Sequence, residues 1–262
     1  MSCSESDLWQ KLNHAKKKQS NAKWLGEVYS LDLSDELRQE IATQLGFLGK
    51  EGWVTLKSLT KKFGIQPELI HAAGICHQKE ARDWLLTLLE GQKEINIVVL
   101  KALACWGASI PNKLLAKILS QPSLEVRLSG LELLAFKAHK LSDQDLVKLT
   151  KELLADFRDP IVLATIRVLK RRNGVDICDI ITSIAHNGSD ATAKSAIMAL
   201  GSIGTIRSYL NLSKLSQELP SGKRLDLVNK QIQHQYRFPS RHSIYKKDRR
   251  PNLLATDNGS QQ

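Results

Sequence analysis

The sequence is poor in the features that most directly signal chemistry. Its four cysteines, Cys3, Cys76, Cys105 and Cys178, lie far apart and form no CxxC pair. That excludes the closely spaced thiolate sets of zinc-finger sites, and no metal ligand set is expected. Three of the four stand in apolar surroundings, where a free cysteine behaves as a small hydrophobe, and a reducing compartment fits that usage. Aromatic residues make up only 5% of the chain. With Leu, Ala and Ile abundant, this favours helix over strand, since β-rich chains draw on Val, Thr and the rings.

Long apolar runs are missing too. The most apolar stretch, 95–110, is interrupted by Lys101 and falls short of a bilayer span. The N-terminal MSCSESDLWQKLNHAKKK lacks the apolar stretch of a secretion signal, so the expected location is cytoplasmic. No phosphate-cradling loop is found. Gly201-Ser202-Ile203-Gly204 has neither a preceding strand nor a P-loop lysine, and its plain role is close helix packing.

What is present is charge and periodicity. The 262 residues carry 38 Lys and Arg against 27 Asp and Glu, a net charge of +11. A surplus of that size favours acidic partners, whether nucleic acid, an anionic membrane surface or an acidic protein, without choosing among them.

Helical apolar spacing recurs through the chain. Leu37, Ile41, Leu45 and Leu48 are spaced by four, four and three and share one face. Asp35 stands where it favours the positive end of that helix. Equivalent early apolar positions fall at Leu37, Leu69, Val98, Val126, Ile161 and Thr192, with intervals of 32, 29, 28, 35 and 31 residues. A helix-turn-helix unit needs about this length, and no such unit hides its apolar face alone. Second helices fill the gaps at 53–63, 80–89, 111–119, 143–154, 177–185 and 209–215. Pro67, Pro111 and Pro160 suit first helical turns.

The pattern resembles HEAT repeats over roughly residues 30–215. Leu124-Glu125-Val126-Arg127 matches the front half of the short HEAT-like repeat, Ala199-Leu200-Gly201-Ser202-Ile203-Gly204 matches its rear half, and Asp35 to Gly46 carries both ends. The resemblance implies an all-α fold, an α-solenoid of five to six helical pairs over 30–220. A basic capping region at 1–29 precedes it, and a basic helix and tail at 221–262 follow. An irregular all-helical domain is the plainer alternative.

Within this group the chain is similar to small cyanobacterial proteins related to phycobilin lyase subunits and phycobilisome-handling factors, through Leu200-Gly201-Ser202-Ile203-Gly204. That likeness implies an acidic phycobiliprotein partner, a bilin chromophore and a second HEAT-repeat subunit. It transfers no catalytic residue. HEAT-like alkyl-purine DNA glycosylases offer a second reading, nucleic-acid binding, and a structural subunit of a larger complex is a third.

Charge concentrates at the C-terminal end, where residues 222–262 hold nine Lys and Arg against three acids. Arg241, Tyr245, Lys246, Lys247, Arg249 and Arg250 are the expected contacts of this arm, cations for acidic groups and a ring for stacking. Trp84, Arg127, Arg167 and Arg171 are the expected contacts on the repeats, with Trp84 open between core and recognition and Trp106 read as core. Among the other candidates, His71 and His77 are six apart and form no i, i+4 ligand pair. His77 beside Cys76 invites a thiolate–imidazole reading, which packing outweighs. The pairs Asp143/Asp145, Asp156/Asp159 and Asp176/Asp179 have ready capping or surface roles. The expected function is a protein-binding scaffold or assembly factor that performs no reaction alone.

Overall fold

A computed structural model of the chain describes residues 4–18, 21–90, 94–107 and 110–237. The expected tail contacts Arg241, Tyr245, Lys246, Lys247, Arg249 and Arg250 lie outside the described residues. The described residues form α-helices and one short 3-10 turn, with no strand among them. They divide into two compact units, Met1–Lys140 and Leu141–Gln262. No helix among the described residues is long and apolar enough to cross a membrane.

The first unit holds α1 (Glu5–Lys18), α2 (Ala22–Val28), α3 (Asp35–Phe47), α4 (Gly49–Phe63), α5 (Pro67–Ile75), α6 (Lys79–Thr87), α7 (Ile97–Ala104), α8 (Asn112–Leu119) and α9 (Leu124–Lys137). Helices α3, α5, α7 and α9 stack in succession as one layer. In the second layer, α4 lies on α3 and α5, α6 on α5 and α7, and α8 on α9. Helices α1 and α2 close the N-terminal end against α3, and α2 also packs on α4. These are the repeating antiparallel pairs of a HEAT-like array.

The sequence dictates this arrangement locally. In α3, Asp35 and Glu36 occupy the positive first turn, while Leu37, Ile41 and Leu45 are fully buried. Each such side chain contributes about 1.5–3 kcal/mol by leaving water. Small residues set how closely the layers approach. A Cβ at Gly74 of α5 would lie 2.4 Å from the Ala102 carbonyl oxygen of α7, so the two backbones meet where no side chain fits. A polar pin crosses three elements: the Tyr29 hydroxyl, just past α2, donates to Glu68 of α5 at 2.7 Å, and Arg38 of α3 lies 3.4 Å from the same carboxylate. Burial, and then Glu68, push the Tyr29 pKa up.

The second unit repeats the scheme with α10 (Asp143–Leu154), α11 (Asp159–Leu169), α12 (Val175–Asn187), α13 (Asp190–Ile203), α14 (Ile206–Glu218) and α15 (Lys223–Arg237). Helices α11, α13 and α15 form one layer, and α10, α12 and α14 the other. Ser142, Ser189 and Thr205 cap the helices that follow them, each side chain accepting a backbone amide proton. The last helical pair starts earlier than its apolar pattern suggests. Thr205 and Ser208 form a reciprocal capping box that begins α14 at Ile206, three residues before the expected start.

The glycines of the Leu200-Gly201-Ser202-Ile203-Gly204 signature serve packing and termination. A Cβ at Gly201 would lie 2.0 Å from the Gln231 side-chain oxygen of α15. Gly204, at φ +64°, ends α13 in the left-handed conformation that favours glycine. Gln235 of α15 is buried and donates to the Leu200 carbonyl at 2.7 Å, to the Gly201 carbonyl and to the Ser208 hydroxyl, fastening α15 to both neighbours.

Candidate functional site: an aromatic edge on the turns of the first unit

In the first unit, the turns α3–α4, α5–α6 and α7–α8 and the end of α9 meet along one edge. A Cβ at Gly49 would stand 3.6 Å from the Gln78 side chain and 3.9 Å from the Cys76 carbonyl oxygen. The His77 and Trp106 rings are 5.7 Å apart. At Gly107 a Cβ would lie 3.4 Å from Cβ of Phe136. Each turn therefore touches the next, and each contributes an aromatic or imidazole ring: Phe47, His77, Trp106 and Phe136.

Both phenylalanine rings are presented to solvent, Phe47 at 76% exposure and Phe136 at 50%. A lone exposed ring is ordinary, but apolar rings aligned on consecutive turns and rimmed by charge are the composition of an interaction surface. Helix geometry explains the exposure of Phe47, which follows Glu40 and Thr43 at intervals of seven and four on the polar face of α3, away from the buried Leu37, Ile41 and Leu45.

The centre of the edge is locally unusual. His77 is exposed and takes φ +50°, the one positive φ among the described non-glycine residues. Trp106 is half-buried, against its reading as core, and its indole Nε1 is shielded without a hydrogen-bond acceptor among the described residues. The Arg82 guanidinium lies 6.0 Å from the Trp106 ring and is held by Asp83 through bonds of 2.6 and 3.0 Å.

Cations dominate the rim. Lys50, Lys79, Lys113 and Lys140 are exposed in or beside these turns, and Arg82 and Lys137 are half-buried. Against them stand the exposed acids Glu51, Glu80 and Asp83. The Lys137 ammonium donates to the Ile110 carbonyl. Burial and then Lys140 lower its pKa.

Nucleophilic chemistry finds little support at this edge. The Cys76 thiol is buried, donates to the Ala73 carbonyl at 3.1 Å, and is pushed up in pKa by its burial. Its neighbour His77 packs on Trp106 instead. Burial also pushes the Cys105 thiol up. Among the described residues no group of three His, Cys, Asp or Glu side chains could hold a metal ion. Five of the six carboxylates in the pairs read from the sequence are engaged, Asp143 with Arg172, Asp145 with Ser142, Asp156 with Arg158, Asp159 with Ser189, and Asp179 with Arg207 and Asn211, while Asp176 is exposed in the first turn of α12.

Within the first unit, the expected contacts Trp84 and Arg127 stand apart from this edge. Trp84 packs its ring on Trp53 at 5.6 Å, and it lies two positions beyond Arg82, about 200° around α6, which turns it away from the Trp106 cluster. Arg127 bonds the Gln121 carbonyl at the start of α9, the end remote from the turn edge. Arg167 and Arg171 are exposed at the end of α11 in the second unit. Phe47, His77, Arg82 and Phe136 are not among the expected contacts; for Phe47, a ring at the last position of its helix before the Gly49 turn is the available signal.

No family model and no curated protein matches the sequence. Among solved structures, the chain is similar to the complex of CpcE and CpcF of phycocyanin lyase from a Nostoc species, at 14% identity over 82% of this chain and 94% of that one, with a TM-score of 0.45. It is also similar to human deoxyhypusine hydroxylase in complex with glycerol, at 13% identity over 89% and 90% of the two chains and a TM-score of 0.39. A designed armadillo repeat protein matches at 15% identity over 82% of this chain and all of that one, with a TM-score of 0.38. The fold assignment rests on the helix packing described above.

Proposed function

We propose that this chain is a protein-binding scaffold whose first unit docks an acidic protein through the aromatic turn edge. The observation that carries the reading is the row Phe47, His77, Trp106 and Phe136 on consecutive turns, both of its phenylalanine rings exposed and its rim cationic. Exposed rings give such a surface its short-range energy, and the surrounding cations give it steering and register. The +11 net charge favours the same class of partner at long range. The finer proposal is that the partner is a phycobiliprotein, in keeping with the HEAT-like signature at Leu200-Gly201-Ser202-Ile203-Gly204, and that the chain acts in its assembly or maturation, with a second HEAT-repeat subunit and the bilin as further members. The tail residues Arg241, Tyr245, Lys246, Lys247, Arg249 and Arg250 are proposed to add electrostatic attraction, with Arg167 and Arg171 as further cationic contacts.

Titration of the full chain with a purified phycobiliprotein tests the reading, with the Phe47→Ser/Phe136→Ser variant and a short DNA duplex alongside. Saturable binding to the protein, weakened at least tenfold in the variant, is the expected result. Binding to DNA alone would overturn it in favour of nucleic-acid recognition.

A further inference from the structure

We infer that Trp106 is the carboxylate-recognition point of the turn edge, and that its ligand is an acidic segment of the partner carrying an Asp or Glu beside an apolar residue. This deepens the scaffold reading and rests on it. Three observations meet at this residue. The Trp106 Nε1–H is shielded and has no acceptor among the described residues, a condition that costs stability in the free protein because the donor has given up water without replacement. An indole N–H is a donor only, so what it lacks is an acceptor oxygen. The Arg82 guanidinium stands 6.0 Å from the same ring and is engaged by its sequence neighbour Asp83, whose side chain is half exposed.

A pair of that kind at the surface contributes little and exchanges readily. An incoming carboxylate can take the guanidinium from Asp83, and it gains the indole N–H as a second donor once the Trp106 side chain turns to bring its N–H to the partner. The apolar neighbour of that carboxylate meets the exposed Phe136 ring, which lies next to Gly107 of the same turn. Charge selects the occupant. Lys50, Lys79, Lys113 and Lys140 surround the turns against Glu51, Glu80 and Asp83, so an acidic segment is favoured and a basic one is repelled.

The test uses the full chain labelled with 15N, whose five tryptophans give separate indole resonances, the Trp106 signal being assigned by its loss in Trp106→Phe. The probes are a soluble Glu-rich peptide with one central Leu, its Gln-for-Glu counterpart and its Lys-for-Glu counterpart. The Glu peptide is expected to shift the Trp106 indole proton downfield saturably, and to bind Trp106→Phe about tenfold more weakly, the loss of one such hydrogen bond. The Gln peptide is expected to bind at least tenfold more weakly to the wild-type chain, and the Lys peptide not at all. Trp106→Phe is expected to melt at the same temperature as wild type or higher, since it removes an unpaired donor and keeps the ring. An unmoved Trp106 resonance at saturation, or equal binding of Glu and Gln peptides, overturns the assignment. If either occurs while Phe47→Ser/Phe136→Ser still loses the phycobiliprotein, the carboxylate point fails and the scaffold reading stands.

Discussion

At the scale of the residue, single atoms decide how the helices meet. Gly74 is the clearest case, since an added methyl at 2.4 Å from the Ala102 carbonyl must push α5 and α7 apart. Gly74→Ala is expected to destabilise the first unit by about 1–3 kcal/mol, the usual cost of overpacking, read as a lower urea midpoint. Asp179 shows a second kind of control. The Arg207 guanidinium, bonded at 2.8 and 2.6 Å, holds its carboxyl below the usual carboxylate range, with Asn211 assisting. Because the folded-state value is depressed, the stabilisation is complete above the ordinary Asp value of about 3.9 and is lost as pH falls through and below it. Thermal melts of wild type and Asp179→Asn are expected to differ at neutral pH and to converge in acid. A gap that widened in acid would contradict the assignment.

At the scale of the element, most of the architecture was legible in the sequence. Leu37, Ile41 and Leu45 announced α3 by their spacing, and Pro67 and Pro160 marked helix starts. Pro111 proved to precede α8 as its cap residue instead of opening its first turn. What apolar periodicity misses is an end set by polar chemistry, as at Thr205 and Ser208, where two hydroxyls start α14 ahead of its apolar face. Thr205→Ala is expected to cost about 1 kcal/mol, measured as a shift of the unfolding midpoint. The candidate edge was harder to read for a different reason. Phe47 and Phe136 stand on the solvent faces of their helices, four residues after Thr43 and Glu132, and a single apolar residue on such a face is ordinary until the fold sets several of them on adjoining turns. The Trp106–Arg82–His77 group joins two segments, 77–82 and the end of α7, whose proximity is tertiary. Arg127, legible as part of the repeat match at 124–127, donates to the Gln121 carbonyl, a partner that sequence spacing does not reveal.

At the scale of the whole molecule, the charge of +11 makes association with an acidic partner sensitive to ionic strength. Neutralising Lys246, Lys247, Arg249 and Arg250 is expected to slow association and weaken capture several-fold at low salt, with the difference shrinking as salt rises. Equal capture at low salt would remove the tail from the account. Short-range energy is assigned to the first unit, so changes at Phe47 and Phe136 are expected to act mainly on dissociation. The measurement that bears most directly on this assignment is a paired capture from nuclease-treated native extract, wild type against Phe47→Ser/Phe136→Ser, with retained proteins quantified by mass spectrometry. The account predicts one acidic protein held near stoichiometry by the wild type and lost from the variant, whose circular dichroism matches wild type. Equal retention by both chains, or loss of every partner on nuclease treatment, would contradict it.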